Sequence, residues 1–524
     1  MRWMLVLALL AAAPAWAKPP KKPVEKEKPT VSDAAAPTKK EAKQRSVAFA
    51  EYDAQMASGQ KARAADALVV ILDNADLADW HGEAYARFGD ILADSDLSYA
   101  ALCAYTRAFS TATDLTIEEV SLRVPAAIGL AEKVGDVAIL EKPFSTNLGL
   151  ARTEDVRGKM AYLAARENLR RQNYGVATAM LKLVKQGDPL YPEAKSLEGV
   201  ILNQQARTED ALKAFEAAQK SGTDREVRFQ DTLQLNTART WYGAGNYPRA
   251  IEAFSRVSRS SEFWPEAQFE RAWAHFRIDD INGALAQLFS LDTPFFEKYY
   301  FPEADLLRIY SFFLLCKFPE AEAEIEIFKN RYTSVDGKLK AWGEKSVEEN
   351  FQTVRKYKEK GDTAGLPEMI WRPYAAEERL SASIKAVDSA EDELKRMRNV
   401  SANPFTERAR SWLDERRKFL VDTEGGRVKD RIAAQEAEIG GMLGDSEIFV
   451  LDILRMKTQL YEQAALTGRM PVAARTVVRK DRLRRGYREW PFQGEIWADE
   501  LGYYRIDVIP ECPANMRQGV AGKP

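Results

Sequence analysis

Residues 193–220 read EAKSLEGVILNQQARTEDALKAFEAAQK, and the spacing of small and apolar residues inside this stretch decides the fold. Gly199 is followed by Ala211 twelve residues on, Phe215 at sixteen and Ala218 at nineteen. The same offsets recur from Ala165 to Ala177, Leu181 and Val184, from Ala238 to Ala250, Phe254 and Val257, and from Ala272 to Ala284, Leu288 and Leu291. A small residue in one helix, facing a small residue and two apolar ones in the next, lets two helices approach closely as a hairpin. Repeated every 34 to 39 residues, such a hairpin predicts an all-α solenoid.

Working outward, Tyr52, Ala64, Leu68 and Ile71 repeat the pattern, and so do Gly89, Ala101, Tyr105 and Ala108. On the other side Ile309, Ala321, Ile325 and Phe328 make a further unit, its start Phe318-Pro319-Glu320 echoing Tyr247-Pro248-Arg249. A unit expected around Pro125–Leu140 fits poorly in its second helix, where Lys142 and Ser145 fall on apolar places. The small residues that open the second helices run Ala177, Ala211, Ala250, Ala284 and Ala321, in steps of 34, 39, 34 and 37. The longest step is absorbed by SGTDREVRFQD at 221–231.

This period, the paired small residues and Pro189 closing one unit resemble tetratricopeptide (TPR) repeats over residues 47–332. The bulky aromatic early in each first helix is often absent, so a Sel1-like hairpin repeat is the alternative within the same architecture. The resemblance implies that first helices line a concave face, with residues one, four and five after each small anchor pointing into it. Those places hold Arg166 and Arg170, then Asn203 and Gln204, then Arg239 and Tyr242, then Trp273, Phe276 and Arg277; Asp53, Asp90 and Asp94 mark the entrance. Guanidinium groups bind carboxylates bidentately and aromatic rings supply stacking area, so the implied ligand is an acidic segment or C-terminus of another protein. The competing reading pairs these arginines with neighbouring glutamates along the helices.

The flanks differ in character. Residues 1–17 have the pattern of a secretory signal: Arg2, the apolar Leu5–Ala13, and Ala15-Trp16-Ala17 before Lys18. That apolar run is shorter than the ~20 residues a spanning helix needs, and no later run is longer, so no transmembrane segment is expected. A periplasmic or secreted location follows. Residues 18–45 are rich in Pro, Lys, Glu and Ala and read as a disordered linker. Residues 335–374 read as a connector, with one helix around Lys340–Lys358 and a Gly- and Pro-marked stretch after it. Residues 375–467 read as a long helical hairpin or coiled coil. Leu380, Val387 and Leu394 are seven apart with Ala390 and Met397 between, Pro404 separates the helices, and Gly425-Gly426 interrupts the second. Trp412, Phe419, Val428, Ile432 and Ile439 form its stripe, and Ser446–Leu466 reads as a third helix. The stripes are core in one reading and a self-association seam in the other. The tail 475–524 combines a basic run, Arg475–Arg488, with an aromatic stretch in which Tyr503–Ile509 alternates as one strand. This tail is similar to those of exported repeat proteins of myxobacteria and other deltaproteobacteria.

Chemistry-bearing motifs are absent. His81 and His275 are the two histidines, and His275 falls on a helix-packing place. There is no His-Glu-x-x-His, Cys-x-x-Cys, phosphate-binding Gly-x-x-x-x-Gly-Lys-Ser/Thr or Gly-x-Ser-x-Gly. The Glu-Ser pair that marks lytic transglycosylases, which share a solenoid, is missing too. A formal net charge of −2 offers no overall field for nucleic acid. Cys103, Cys316 and Cys512 permit one disulfide and leave at least one thiol over, without saying which. The expectation is therefore a non-enzymatic, cofactor-free, metal-free scaffold for envelope proteins. The alternative is a wall-binding or self-assembling envelope protein holding cell-wall polymer through Arg475–Arg488.

Overall fold

The computed structural model describes residues 39–152, 154–399, 402–468 and 495–511. The signal segment, most of the expected linker and the run Arg475–Arg488 lie outside them.

Among the described residues the protein is built of helices. The first units are α1 (Lys39–Ala48), α2 (Ala50–Ala57), α3 (Lys61–Asp73), α4 (His81–Asp94) and α5 (Ser98–Thr111). Short helices follow at α6 (Ile117–Ser121), α7 (Val124–Val134) and α8 (Glu141–Thr146). Regular hairpins resume with α9 (Glu154–Arg170) and α10 (Tyr174–Leu181), α11 (Tyr191–Gln204) and α12 (Thr208–Ser221), and α13 (Val227–Gly243) and α14 (Tyr247–Phe254). The pairs α15 (Trp264–Arg277) with α16 (Ile281–Leu291) and α17 (Pro302–Leu314) with α18 (Phe318–Trp342) complete the array. Then come α19 (Val347–Lys360), α20 (Glu368–Ala375), α21 (Glu378–Met397) and the 64-residue α22 (Pro404–Thr467).

Every anchor named from the sequence spacing is buried, from Tyr52 to Phe328. The two glycine anchors have a steric reason: a Cβ on Gly89 would lie 2.5 Å from the Tyr105 ring, and one on Gly199 2.5 Å from the Phe215 ring. Each hairpin turns through one left-handed residue seven places after its anchor: Gly59, Asp96, Gln172, Ala206, Gly245, Asp279 and Cys316. Proline opens many of the helices, at Pro192, Pro248, Pro265, Pro302 and Pro404, where the N–H it lacks has no intrahelical acceptor.

The structure departs from the sequence reading in five places. First, α1 already covers Lys39–Ala48, where a disordered linker to 45 was expected, and Arg45 is held by Glu83. Second, α18 runs past 332 to Trp342, and the expected connector is core: Trp342, Phe351, Ile370, Trp371 and Tyr374 are buried. Third, α22 is a single helix through Gly425-Gly426 and on through Ser446. Gly425 is a close-approach residue, because a Cβ there would sit 2.2 Å from the Val347 carbonyl oxygen. Gly425→Ala is therefore expected to destabilise by about 1–3 kcal/mol through overpacking against backbone, read as a lower denaturation midpoint, whereas Gly426→Ala meets open space and should not. Fourth, Phe419 leaves the buried stripe and is 56 % exposed beneath the Arg416 guanidinium. Fifth, Tyr503–Ile509 forms no strand, since its neighbours are helices with no free ladder to pair with.

The stripes of α21 and α22 are core. The two helices run antiparallel, with Arg379 Nε donating to Glu424 at 2.8 Å and Arg410 Nη2 to the Met397 carbonyl at 2.9 Å. At about 1.5 Å per residue α22 spans roughly 95 Å. Its first half meets the first hairpins: Phe405 stacks on Phe88, Arg408 pairs with Asp73 and Arg416 with Asp136. Its second half meets the last hairpin: Glu447 pairs with Lys329, Lys457 with Glu322, and Phe449 packs on Tyr310. One continuous apolar cluster accordingly joins Phe49–Ile201 to Leu306–Ile453. The hairpins between them keep four smaller clusters of their own. The chain is a helical arch whose two feet are clamped by one helix.

One consequence is a pH dependence. Burial pushes the Glu303 carboxyl, at the start of α17, up to about 7 from 4.5, and the charge of Glu438 on α22 adds to it. A folded-state pKa above the unfolded one contributes stability that is complete below 4.5 and lost as pH rises through about 7. The protein is expected to melt at a higher temperature at pH 5 than at pH 8, with a smaller difference in Glu303→Gln.

Candidate functional site

The helix-facing places named from the sequence separate into three groups. At the entrance, Asp53 pairs with Arg87 at 3.4 Å, Asp90 with Arg123 at 2.8 Å and Asp94 with Lys61 at 3.1 Å. Each pair joins residues about one repeat apart, which a solenoid stacks side by side. In the middle, Arg166 Nε lies 3.1 Å from the buried Glu141, and Arg170 pairs with both Glu141 and Glu167. Arg239 Nε donates to both carboxylate oxygens of the buried Glu270 at 2.9 Å, with Glu266 beside it. Burial works against the charge of Arg239, but these two carboxylates more than offset it and its pKa is raised. These three arginines are thus spoken for within the chain, though mostly by glutamates of adjacent helices and only at Arg170–Glu167 along one helix, and the basic groove expected from them is largely neutralised.

The third group remains open. Asn203 and Gln204 are exposed at the end of α11. On α13 the Tyr242 ring packs edge-on against Tyr247, at 5.3 Å between centroids, and burial pushes its hydroxyl up to about 12. On α15 the exposed Arg277 lies over the Tyr247 ring at 5.5 Å and donates from Nε to the Tyr247 hydroxyl at 3.1 Å. No carboxylate pairs with Arg277 among the described residues. One turn back, Trp273 packs edge-on against Phe276, which continues onto Tyr310. Beyond Tyr310 the face is closed by Phe449 of α22. The Tyr242 hydroxyl and the Trp273 indole nitrogen are both buried and have no hydrogen-bond partner among the described residues. The structure therefore brings Tyr242, Trp273, Phe276 and Arg277 to one face of α13 and α15. Tyr247 was missed in the sequence, although its place before Pro248 at the start of α14 was noted; its role is to hold Arg277 and Tyr242 in position.

Both histidines bond to groups close by in the chain. His275 Nδ1 is 2.8 Å from Asp280 Oδ2, while Asp280 caps α16 by accepting from the Gly283 N–H; burial lowers the His275 pKa. His81 Nε2 sits 3.1 Å from the carbonyls of both Ile71 and Asn74. Among the described residues no three His, Cys, Asp or Glu side chains gather as metal ligands, and no helix is long and apolar enough to cross a membrane. A cavity of about 660 Å³ lies at the far end of the arch, between Lys40, Val47, Val70 and Trp80, away from the open face.

No family model matches the chain, and no curated protein matches it. Among solved structures, the apo form of RapI is similar at a TM-score of 0.33 and 10% identity, over 72% of this chain and 96% of that one. A Rap protein complexed with competence and sporulation factor is similar at a TM-score of 0.25 and 12% identity, over 76% of this chain and 97% of that one.

Proposed function

We propose that this chain is a non-catalytic protein-binding scaffold of the cell envelope, and that the α11–α15 face receives an extended segment of a partner protein. The observation that carries it is the cluster of Tyr242, Tyr247, Trp273 and Arg277, in which an exposed guanidinium without a carboxylate partner among the described residues stands beside half-buried rings. Rings and an arginine are also the residues that most often dominate binding energy. The ligand would be a peptide that lies against the Tyr242, Tyr247 and Trp273 rings and presents a carboxylate to Arg277. Export is part of the proposal and rests on the pattern of residues 1–17.

The test uses peptides selected on the wild-type protein by display, with affinity then measured by calorimetry. Trp273→Ala combined with Arg277→Glu is expected to weaken binding about tenfold or more, with helical content unchanged. Unchanged affinity would refute the assignment. Arg239 is not a binding probe: reversing its charge would leave Glu266 and Glu270 facing a third acid.

A further inference from the structure

The described part of the tail, 495–511, is a strap over α15, α16 and the turn after α17, and its side chains alternate. Gly502, Tyr504, Ile506, Val508 and Pro510 are half-buried, while Tyr503, Arg505, Asp507 and Ile509 are exposed. A period of two belongs to an extended chain, and Pro510 favours that conformation in the residue before it. The inward side chains rest on helices: Tyr504 packs edge-on against Phe289, and Ile506 and Val508 cover Ile281, Leu285 and Leu315. The backbone is held by side chains. Gly502 donates its N–H to the Ser290 hydroxyl at 2.9 Å, and the Asn282 amide accepts from the Val508 N–H at 3.0 Å and donates to its carbonyl at 3.3 Å. At the ends, Arg259 donates to the carbonyls of Ala498 and Asp499 at 2.6 and 2.9 Å, and the Glu511 N–H donates to the Leu315 carbonyl at 2.9 Å.

These bonds use one edge of the strap. In an extended chain the N–H and C=O of a residue point to the same side, and those of the next residue to the other. Gly502 and Val508 turn theirs toward α16, so the odd-numbered residues between them turn theirs away from it. On that second edge Tyr503 gives its N–H to the Glu500 carbonyl at 3.0 Å. The N–H groups of Arg505 and Ile509 and the Arg505 carbonyl have no hydrogen-bond partner among the described residues. An extended segment with such an edge is a template for another strand. Resting on helices, it also has the support that an isolated pair of strands lacks.

We propose that this edge pairs with the same edge of a second copy of the chain, antiparallel and about a two-fold axis at Ile506. The outward side chains identify the occupant. With Ile506 opposite its own symmetry mate, Arg505 faces Asp507 of the partner subunit and Tyr503 faces Ile509 of the partner subunit, each twice by symmetry. Opposite charges and an aromatic ring against a β-branched side chain are favourable cross-strand combinations. Odd-numbered residues then meet odd-numbered residues, whose backbone groups point across the shared edge, so these are the hydrogen-bonded pairs of the ladder. A parallel pairing in register would instead set arginine beside arginine and aspartate beside aspartate. The two-fold contact closes on itself and gives a dimer, not a filament. This inference does not rest on the peptide-binding face, which uses Trp273 and Arg277.

Sedimentation equilibrium of the full chain is expected to show a monomer–dimer equilibrium. Arg505→Asp sets acid against acid twice across the axis, and Asp507→Arg sets base against base. Each is expected to raise the dimer dissociation constant about tenfold or more, with helical content unchanged. Mixing the two variants in equal amounts restores both opposite pairs in a heterodimer, and the Arg505→Asp, Asp507→Arg double variant restores them in a homodimer. Both are expected to associate as the wild type does. A wild-type chain that stays monomeric up to about 1 mM, association unchanged by either single variant, or single variants that stay apart when mixed would overturn the proposal. The Trp273→Ala, Arg277→Glu variant should dimerise normally, so failure here and failure of the binding face are told apart.

Discussion

Replacing Arg416 by alanine is expected to lower stability by about 3–5 kcal/mol, among the largest single-residue effects in the molecule. Arg416 reaches from α22 to Asp136 with two hydrogen bonds of 2.7 Å, and the Tyr99 hydroxyl of α5 donates to the same carboxylate at 2.8 Å. Asp136 is 3 % exposed, so removing the guanidinium strands a buried charge with one neutral donor. Charge and geometry both matter: Arg416→Lys keeps the charge but gives up the bidentate fork, and should fall between wild type and alanine. Replacing both partners by apolar residues should recover much of the loss, because no charge is then left unpaired. Cys103 provides the readout. It is the one free cysteine among the described residues, fully buried in α5, and burial pushes its thiol up to about 12. Its labelling by a thiol reagent requires α5 to open, and a loss of this size speeds labelling by about 150- to 5000-fold. A rate within twofold of wild type would mean that α22 does not clamp the first hairpins.

Glu393→Ala is expected to cost about 2–4 kcal/mol, through a different mechanism. Helix α5 begins after Leu97, whose side chain caps nothing, so its first amides look elsewhere for acceptors. They find the Glu393 carboxylate on α21, which accepts from the Tyr99 N–H at 2.9 Å and the Ala100 N–H at 2.7 Å. A residue 294 positions away thus serves as the cap that Ser, Thr, Asp or Asn usually supplies locally, and its charge also meets the positive end of the helix dipole. Glu393→Gln retains one acceptor oxygen and should cost about half as much or less. Chemical denaturation of the two variants in parallel separates the cap from side-chain volume. Equal losses in Gln and Ala would place the effect in packing.

The repeat architecture was legible because it rests on local steric demands. A close helix pair needs small residues at fixed offsets, and Gly89 and Gly199 sit where a methyl group would strike the ring sixteen residues later. The left-handed turn residues follow the same steps of 34, 39, 34 and 37 from Gln172 to Cys316, but went unread because only two of the array's seven are glycine. Long-range choices were hidden. Gly425-Gly426 has the composition of a break, yet Gly425 is there to admit the Val347 carbonyl, a partner that no local pattern reveals. The fate of Arg239 was hidden for a related reason. Its acid, Glu270, is 31 residues along, invisible to a search at helical spacing but natural to one at the repeat period. The same period joins Arg87 to Asp53 and Arg123 to Asp90, so a scan for opposite charges one repeat apart would have separated the neutralised arginines from Arg277.

What that separation leaves is a face of α11, α13 and α15 carried on hairpins that have their own small cores, between two feet locked by α22. The direct test of this account is site-specific photocrosslinking in the cells that make the protein. A photoreactive phenylalanine analogue is placed at Asn203 or Gln204 on the open face, and at Lys220 or Glu252 on exposed second helices as controls. The account predicts the same protein adduct from positions 203 and 204, lost when Trp273→Ala is added, and none from the controls. Adducts of equal yield from all four positions, or from the controls alone, would contradict it.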